Sequence, residues 1–163
     1  MEAALQMNTL QLLSFTLDDE VFAIEISRVR EVLEFRDVTR IPRVPDFMRG
    51  VLNLRGAVVP VIDLKKKFAI GQTERDVNTC VIILEVEAGG EMVVLGALAD
   101  AVCEVFDLEQ SAIEPPPKIG TRLDTNFIKG MGKYADNFVI LLDIDRIFTV
   151  EEAGMVANLP KTA

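Results

Sequence analysis

The chain has 163 residues, half of them apolar, with 17 basic and 26 acidic side chains and a net charge of -9. That size and apolar share suit one ordinary domain, or two small ones in close contact, without disulfide or metal staples. The acidity argues against nucleic acid and anionic lipid as ligands, since both are bound through basic footprints, so proteins are the expected partners.

Leu13, Phe15 and Leu17 alternate with polar Ser14 and Thr16, Asp18-Asp19-Glu20 breaks the run, and Phe22, Ile24 and Ile26 resume it. Period two around a polar break predicts a β-hairpin. Ile26, Val29, Val32 and Leu33 then shift to helical spacing, predicting a short helix or turn that ends near Phe35. Pro42 and Pro45 punctuate a loop, and Asp46 to Arg49 reads as one helical turn stopped by Gly50. Val51 to Leu54 and Ala57 to Ile62 flank Arg55-Gly56 as a second hairpin. Pro60 offers no ladder donor, which predicts an edge strand or an outward position. Val81 to Val86, Gly89-Gly90 and Met92 to Leu98 read as strand, turn and strand.

The two halves repeat one plan. Residues 47–68, FMRGVLNLRGAVVPVIDLKKKF, align without a gap to residues 127–148, FIKGMGKYADNFVILLDIDRIF. Upstream, ISRVREV at 26–32 resembles ADAVCEV at 99–105, setting Glu31 against Glu104. A unit this long is no solenoid repeat. It suits a duplicated small domain whose few strands curl into compact barrels to protect their edges. The expected division is a first subdomain over about 15–72 and a second over about 75–150, the latter open to completion by the N-terminal strand. Residues 151–163 are expected to form a short helix or a frayed tail. Asp63 and Asp143, at equivalent strand-to-helix junctions, are expected N-caps.

No motif in the sequence signals catalysis; carboxylate, lysine or thiol chemistry stays open, and an enzyme is the remote alternative. Histidine is absent, which removes the side chain best suited to proton transfer near neutral pH. Neither GxGxxG nor GxxxxGK[ST] occurs, so no phosphate cradle is signalled, and no cofactor or metal is expected. Cys80 and Cys103 sit in apolar runs outside any metal or redox spacing and are expected reduced and buried. Lys65-Lys66-Lys67 is expected to be a solvated helix face. No apolar run reaches the roughly 20 residues of a membrane span, and residues 1–8 lack a secretory signal pattern.

VREVLEF, VTRIPRVPDFMRGVLNLRGAVVPVIDLKKKF, LADAVCEV and FIKGMGKYADNFVILLDIDRIF together resemble the CheW domain family of bacterial chemotaxis, over about residues 10–150. The resemblance implies a mainly β fold of two five-stranded, SH3-like barrels packed around a shared apolar seam, and a cytoplasmic, non-enzymatic adaptor at membrane-associated receptor arrays. Its implied partners are the cytoplasmic tip of a methyl-accepting chemoreceptor and the regulatory domain of the histidine kinase CheA. Another reading within the family is an adaptor for twitching or gliding motility.

The same resemblance assigns surfaces. It implies receptor contacts at Val29, at Ala99 and Val102 in the second repeat, and at Glu31 and Arg55, which it pairs in a salt bridge. A receptor tip is a helical hairpin, which an aliphatic groove accepts by its apolar face. Kinase contacts are implied at Val38 to Ile41 and at Glu114, Lys118 and Ile119. Around the prolines the chain departs from relatives that carry a basic residue before them and an acid and an aromatic after them; the charges here run the other way.

Overall fold

The computed structural model describes residues 9–36, 38–88, 90–115 and 127–147, and the tail expected over 151–163 lies outside them. The first hairpin is β1 (Thr9–Leu17) with β2 (Glu20–Glu25), followed by a 3-10 turn at Ile26–Arg28 and strand β3 (Val29–Glu34). A second hairpin, β4 (Met48–Leu54) and β5 (Ala57–Asp63), leads into a one-turn helix, α1 (Leu64–Lys67). Then come β6 (Cys80–Ala88), β7 (Glu91–Ala99), β8 (Ala101–Glu109), β9 (Ile128–Tyr134) and β10 (Asn137–Leu142), with 3-10 turns at Gln110–Ala112 and Ile144–Arg146. Asp18-Asp19, Arg55-Gly56 and Ala135-Asp136 all have φ between 51° and 87°. Positive φ at both central residues suits the twist of a two-residue hairpin, so the hairpin expectations hold even where neither residue is glycine.

The strands form two five-stranded sheets, β8-β1-β2-β10-β9 and β3-β6-β7-β5-β4. Each closes through one residue beyond its edge strand: Thr39 bridges to Val51 of β4, and Glu114 to Met131 of β9. Close backbone approach makes both crossings possible. A Cβ on Gly50 would collide with the Thr39 carbonyl, and one on Gly130 with Ile113 and the Glu114 carbonyl. The two repeats match in detail, with Asp63 N donating to Phe47 O at 2.7 Å and Asp143 N to Phe127 O at 2.9 Å. The mainly β, twin-barrel expectation is met.

The boundary at 72–75 does not coincide with the division between barrels, although the second barrel is completed from the N-terminal side by β1 and β2. The opening hairpin of each half is exchanged, so β3, β4 and β5 build the first barrel with β6 and β7, and β8, β9 and β10 build the second with β1 and β2. The joining pairs are parallel, β5 on β7 from Val61 opposite Gly96, and β10 on β2 from Ile140 opposite Phe22. Similarity between halves reveals two copies of a hairpin but not which barrel each copy completes.

Local expectations fared unevenly. The helical spacing after Ile26 yields only the Ile26–Arg28 turn, because Val29, Glu31 and Leu33 alternate inward along β3. Asp46 and Phe47 make a turn, and Met48 to Gly50 already belong to β4. Pro60 is buried in a strand with neighbours on both sides, neither at an edge nor facing outward. Its partner Val51 spends both backbone groups on Thr39, and the parallel ladder to β7 begins one residue later, at Val61. The missing N–H therefore costs no bond.

Three apolar clusters result. Leu52, Val61, Ile83 and Leu98 help to fill the first barrel, and Leu12, Phe106, Val139 and Leu141 the second. The largest lies between them and includes Phe15, Phe22, Ile24, Ile62, Phe68, Ile82, Leu84 and Leu142. Rings of Phe15, Phe22, Phe68 and Phe127 step across it at centroid spacings of 6.0, 6.1 and 5.3 Å. Strands such as β1 are thus covered on both faces, which is why Leu12 and Leu13 are both buried.

Candidate docking surfaces

Val29 and Val102 are equivalent residues, each near the start of the strand that enters a new barrel, and both are half-buried against the apolar seam. Each keeps part of its side chain at the surface. Ala99, in contrast, is 0% exposed and belongs to the seam core. The contact expected of it is corrected: at the end of β7 its methyl points inward, and it can only support the surface from beneath. Glu31 and Arg55 form an ion pair, the arginine exposed and the glutamate about one-third exposed. Glu31 lies on β3 and Arg55 on the turn leaving β4, the two strands bridged, among the described residues, only through Thr39. Their pair spans that less tightly laced side of the first barrel. An exposed pair contributes only about 0–1 kcal/mol to stability. Barrel two has no counterpart, since Ala135 stands where Arg55 would be; Phe106 packs there against Tyr134, the rings tilted with centroids 4.2 Å apart.

The segments expected to face a kinase are the two barrel-closing segments. Val38 packs half-buried on the first barrel's interior, and Ile41 is half-buried among exposed Arg36, Arg40 and Arg43. In the second barrel Ile113 plays the part of Val38, and Glu114 is exposed. Lys118 and Ile119 lie outside the described residues. Glu114 and Pro115 border a shallow depression completed by Ala112, Met131, Gly132, Lys133 and Phe138. Phe138 is 68% exposed. Sequence reasoning missed it because the run FVILL reads as uniformly buried; the alternation about Val139, which points into the barrel, is the signal that would have found it.

The remaining charged residues hold the fold. Asp63, 0% exposed, accepts from Lys65 N at 3.1 Å, Thr73 N at 3.0 Å, Thr73 Oγ1 at 2.8 Å and Arg49 Nη1 at 3.4 Å. It caps α1 as expected. Asp143 does not cap: its side chain pairs with Arg146 at 3.6 Å and, among the described residues, makes no capping hydrogen bond. Thr73 comes from the loop after α1, and no described segment follows the Ile144–Arg146 turn to supply its equal. Cys103 is exposed and Cys80 half-buried, so the expected burial is corrected; β8 turns Cys103 outward. Burial pushes the Cys80 thiol up.

Lys65 is not part of a solvated face. Its side chain is only 8% exposed, and Nζ lies 2.7 Å from both Asp18 and Asp100. Lys67 sits over the equivalent rings of Phe47 and Phe127, at 5.1 and 5.2 Å. Burial works against the charge on Lys65, but the hydrogen bonds and attraction of Asp100 and Asp18 outweigh it and raise the pKa. A folded-state pKa above the unfolded value gives stability that is complete below the unfolded value and is lost as pH rises through the folded one. The expected result is a gap in melting temperature between the native chain and Lys65→Met that is widest near neutrality and closes above the ordinary lysine range. A gap that stays constant on alkaline titration would contradict the pairing.

Among the described residues no group of three or more His, Cys, Asp and Glu side chains is placed to hold a metal, and no helix is long and apolar enough to cross a membrane. No buried side-chain nitrogen or oxygen among them lacks a partner. Two fused closed barrels, with their buried charges engaged in the fold and apolar residues left at the surface, define a docking scaffold. The family model described as "CheW-like domain" matches residues 11–152, and the chain belongs to that family. It is 40% identical over 152 residues to the chemotaxis protein CheW of Klebsiella aerogenes, covering 93% of this chain and 89% of that one. The crystal structure of the scaffolding protein TtCheW from Thermoanaerobacter tengcongensis superposes with a TM-score of 0.77 at 36% identity, covering 88% of this chain and 90% of that one. A more distant match is the chemotaxis protein CheA of Bacillus subtilis, 28% identical over 136 residues, which cover 75% of this chain and 20% of that protein. The protein is a non-enzymatic scaffold of chemotaxis.

Proposed function

We propose that this scaffold joins the cytoplasmic tip of a methyl-accepting chemoreceptor to the regulatory domain of CheA, in the cytoplasm at membrane-associated arrays. The observation that carries the proposal is the exposed Glu31–Arg55 pair, which stabilises the fold little and therefore has its use at a surface. Val29, Glu31, Arg55 and Val102 form the receptor-facing set, with Ala99 as their support. Val38 to Ile41 and Glu114, continued by Lys118 and Ile119, face the kinase. The match between this chain and a fifth of a CheA sequence supports contact between like barrels. Such contacts are individually modest, about 800 Å² per partner, and an array multiplies them.

Arg55→Ala is the test. It should change folding stability by less than about 1 kcal/mol while receptor-tip binding weakens roughly tenfold, the equivalent of about 1.4 kcal/mol. Val29→Asp should likewise weaken receptor binding in a folded protein. Calorimetric titration and thermal melts of the same samples separate the effects. Binding that falls only in step with lost stability would remove the proposed role of the pair.

A further inference from the structure

The chain passes between the barrels twice, through the Ile26–Arg28 turn from β2 to β3 and through Asp100 from β7 to β8. A charged residue stands at each crossing, and each is gripped from the short helical turn that follows a hairpin. Lys65 of α1, in the first barrel, places Nζ 2.7 Å from Asp100 Oδ2 and 2.7 Å from Asp18 Oδ1 in the second barrel's first turn. Asp18 N also donates to Asp100 at 2.9 Å.

At the other crossing Asp145, in the second barrel, receives Arg28 in two hydrogen bonds of 3.0 and 2.5 Å. It also accepts from Glu87 N of β6 at 2.9 Å, and Arg28 donates onward to the Glu85 carbonyl at 3.1 Å. Lys65 and Asp145 occupy the same place in the two repeats. One copy offers a cation to an anionic crossing, the other an anion to a cationic crossing.

Between these latches the barrels meet through apolar packing, which is strong but non-directional. That seam contains a small apolar gap lined by residues including Phe15, Ile82, Leu142, Ile144 and Ile147, with no polar group there to fix an orientation. Charge-assisted, two-pronged hydrogen bonds are directional and supply what the seam lacks. We propose that Lys65–Asp100 and Asp145–Arg28 are a matched pair of latches that set the angle between the barrels. They are positioning residues for any partner that touches both barrels at once. The consequence for partners rests on the coupling role proposed above; the angle itself does not.

The experiment measures that angle in the free protein. Spin labels are placed at Glu34→Cys on β3 and Lys133→Cys on β9, both exposed strand positions, with Cys80 and Cys103 changed to alanine. Pulsed dipolar spectroscopy should give one narrow distance distribution. Asp145→Asn and Lys65→Met should each shift or broaden it by about 2 Å or more, the scale of small packed-element displacements. Asp145→Asn is nearly isosteric, and Arg28→Lys offers a second variant that keeps the charge while losing the two-pronged bond. Unchanged distributions in the folded single variants would overturn the latches. Because no partner is present, that failure leaves the coupling role standing, and failure of the unaltered protein to bind a kinase domain would leave the latches standing.

Discussion

Cut after residue 72, the chain should give two fragments that do not fold alone but fold on mixing. The sequence halves look like two domains, and a division of that kind would predict two independent folding units. The strand order forbids it. β6 and β7 stand between β3 and β5 in the first barrel, and β1 and β2 stand between β8 and β10 in the second. Fragment 1–72 would therefore hold two hairpins and β3 with no sheet to join them, and fragment 73–163 the same set in mirror assignment. A lone hairpin is marginal at best in water, and each fragment would also expose its share of the seam. Circular dichroism of each fragment should show no cooperative melt, and an equimolar mixture should recover one. A cooperative transition in either fragment alone would contradict the exchanged-hairpin topology.

Asp63→Ala should be among the most damaging single substitutions. The carboxylate is buried and receives four hydrogen bonds, from Lys65, from Thr73 twice and from Arg49. Alanine leaves those donors, one a guanidinium, facing a gap where water cannot replace both oxygens. Removing one member of a buried charged network costs about 3–5 kcal/mol, and in a chain of this size that lowers Tm by roughly 10 °C. Asp143→Ala is the control. Its carboxylate is partly exposed with one distant partner, so the loss should stay below about 1 kcal/mol. Equal losses at the two sites would show that the buried network contributes nothing beyond what a partly exposed carboxylate supplies.

Much of the architecture was legible because the chain states it twice. The gapless match of 47–68 with 127–148 announced paired units, and β4–β5–α1 and β9–β10 do fold alike. Period-two alternation found the hairpins, while the helical spacing at Ile26 to Leu33 misled, since Val29 and Leu33 share the inward face of β3 and Val32 is turned outward. Completion of the second barrel from the N-terminal side was left open by the sequence, but the passage of β6 and β7 into the first barrel was not anticipated, because each hairpin pattern suits either barrel. At the candidate surfaces, Glu31 and Arg55 were identified by resemblance, and their pairing is present in the structure. Ala99 was misplaced because a small apolar residue at a strand end reads the same whether it lines a groove or a core. Lys65 was read as solvated by its neighbours Lys66 and Lys67. Its position opposite Asp145 in the repeat was the available clue, but only tertiary structure shows that both reach charged crossings.

The measurement that bears most directly on the account is titration of the chain with the regulatory domain of the same organism's chemotaxis kinase, with and without a receptor-tip fragment. The account predicts micromolar binding to each partner separately and a ternary complex when all three are present. No binding to the kinase domain at high micromolar concentration, with the chain folded throughout, would contradict it.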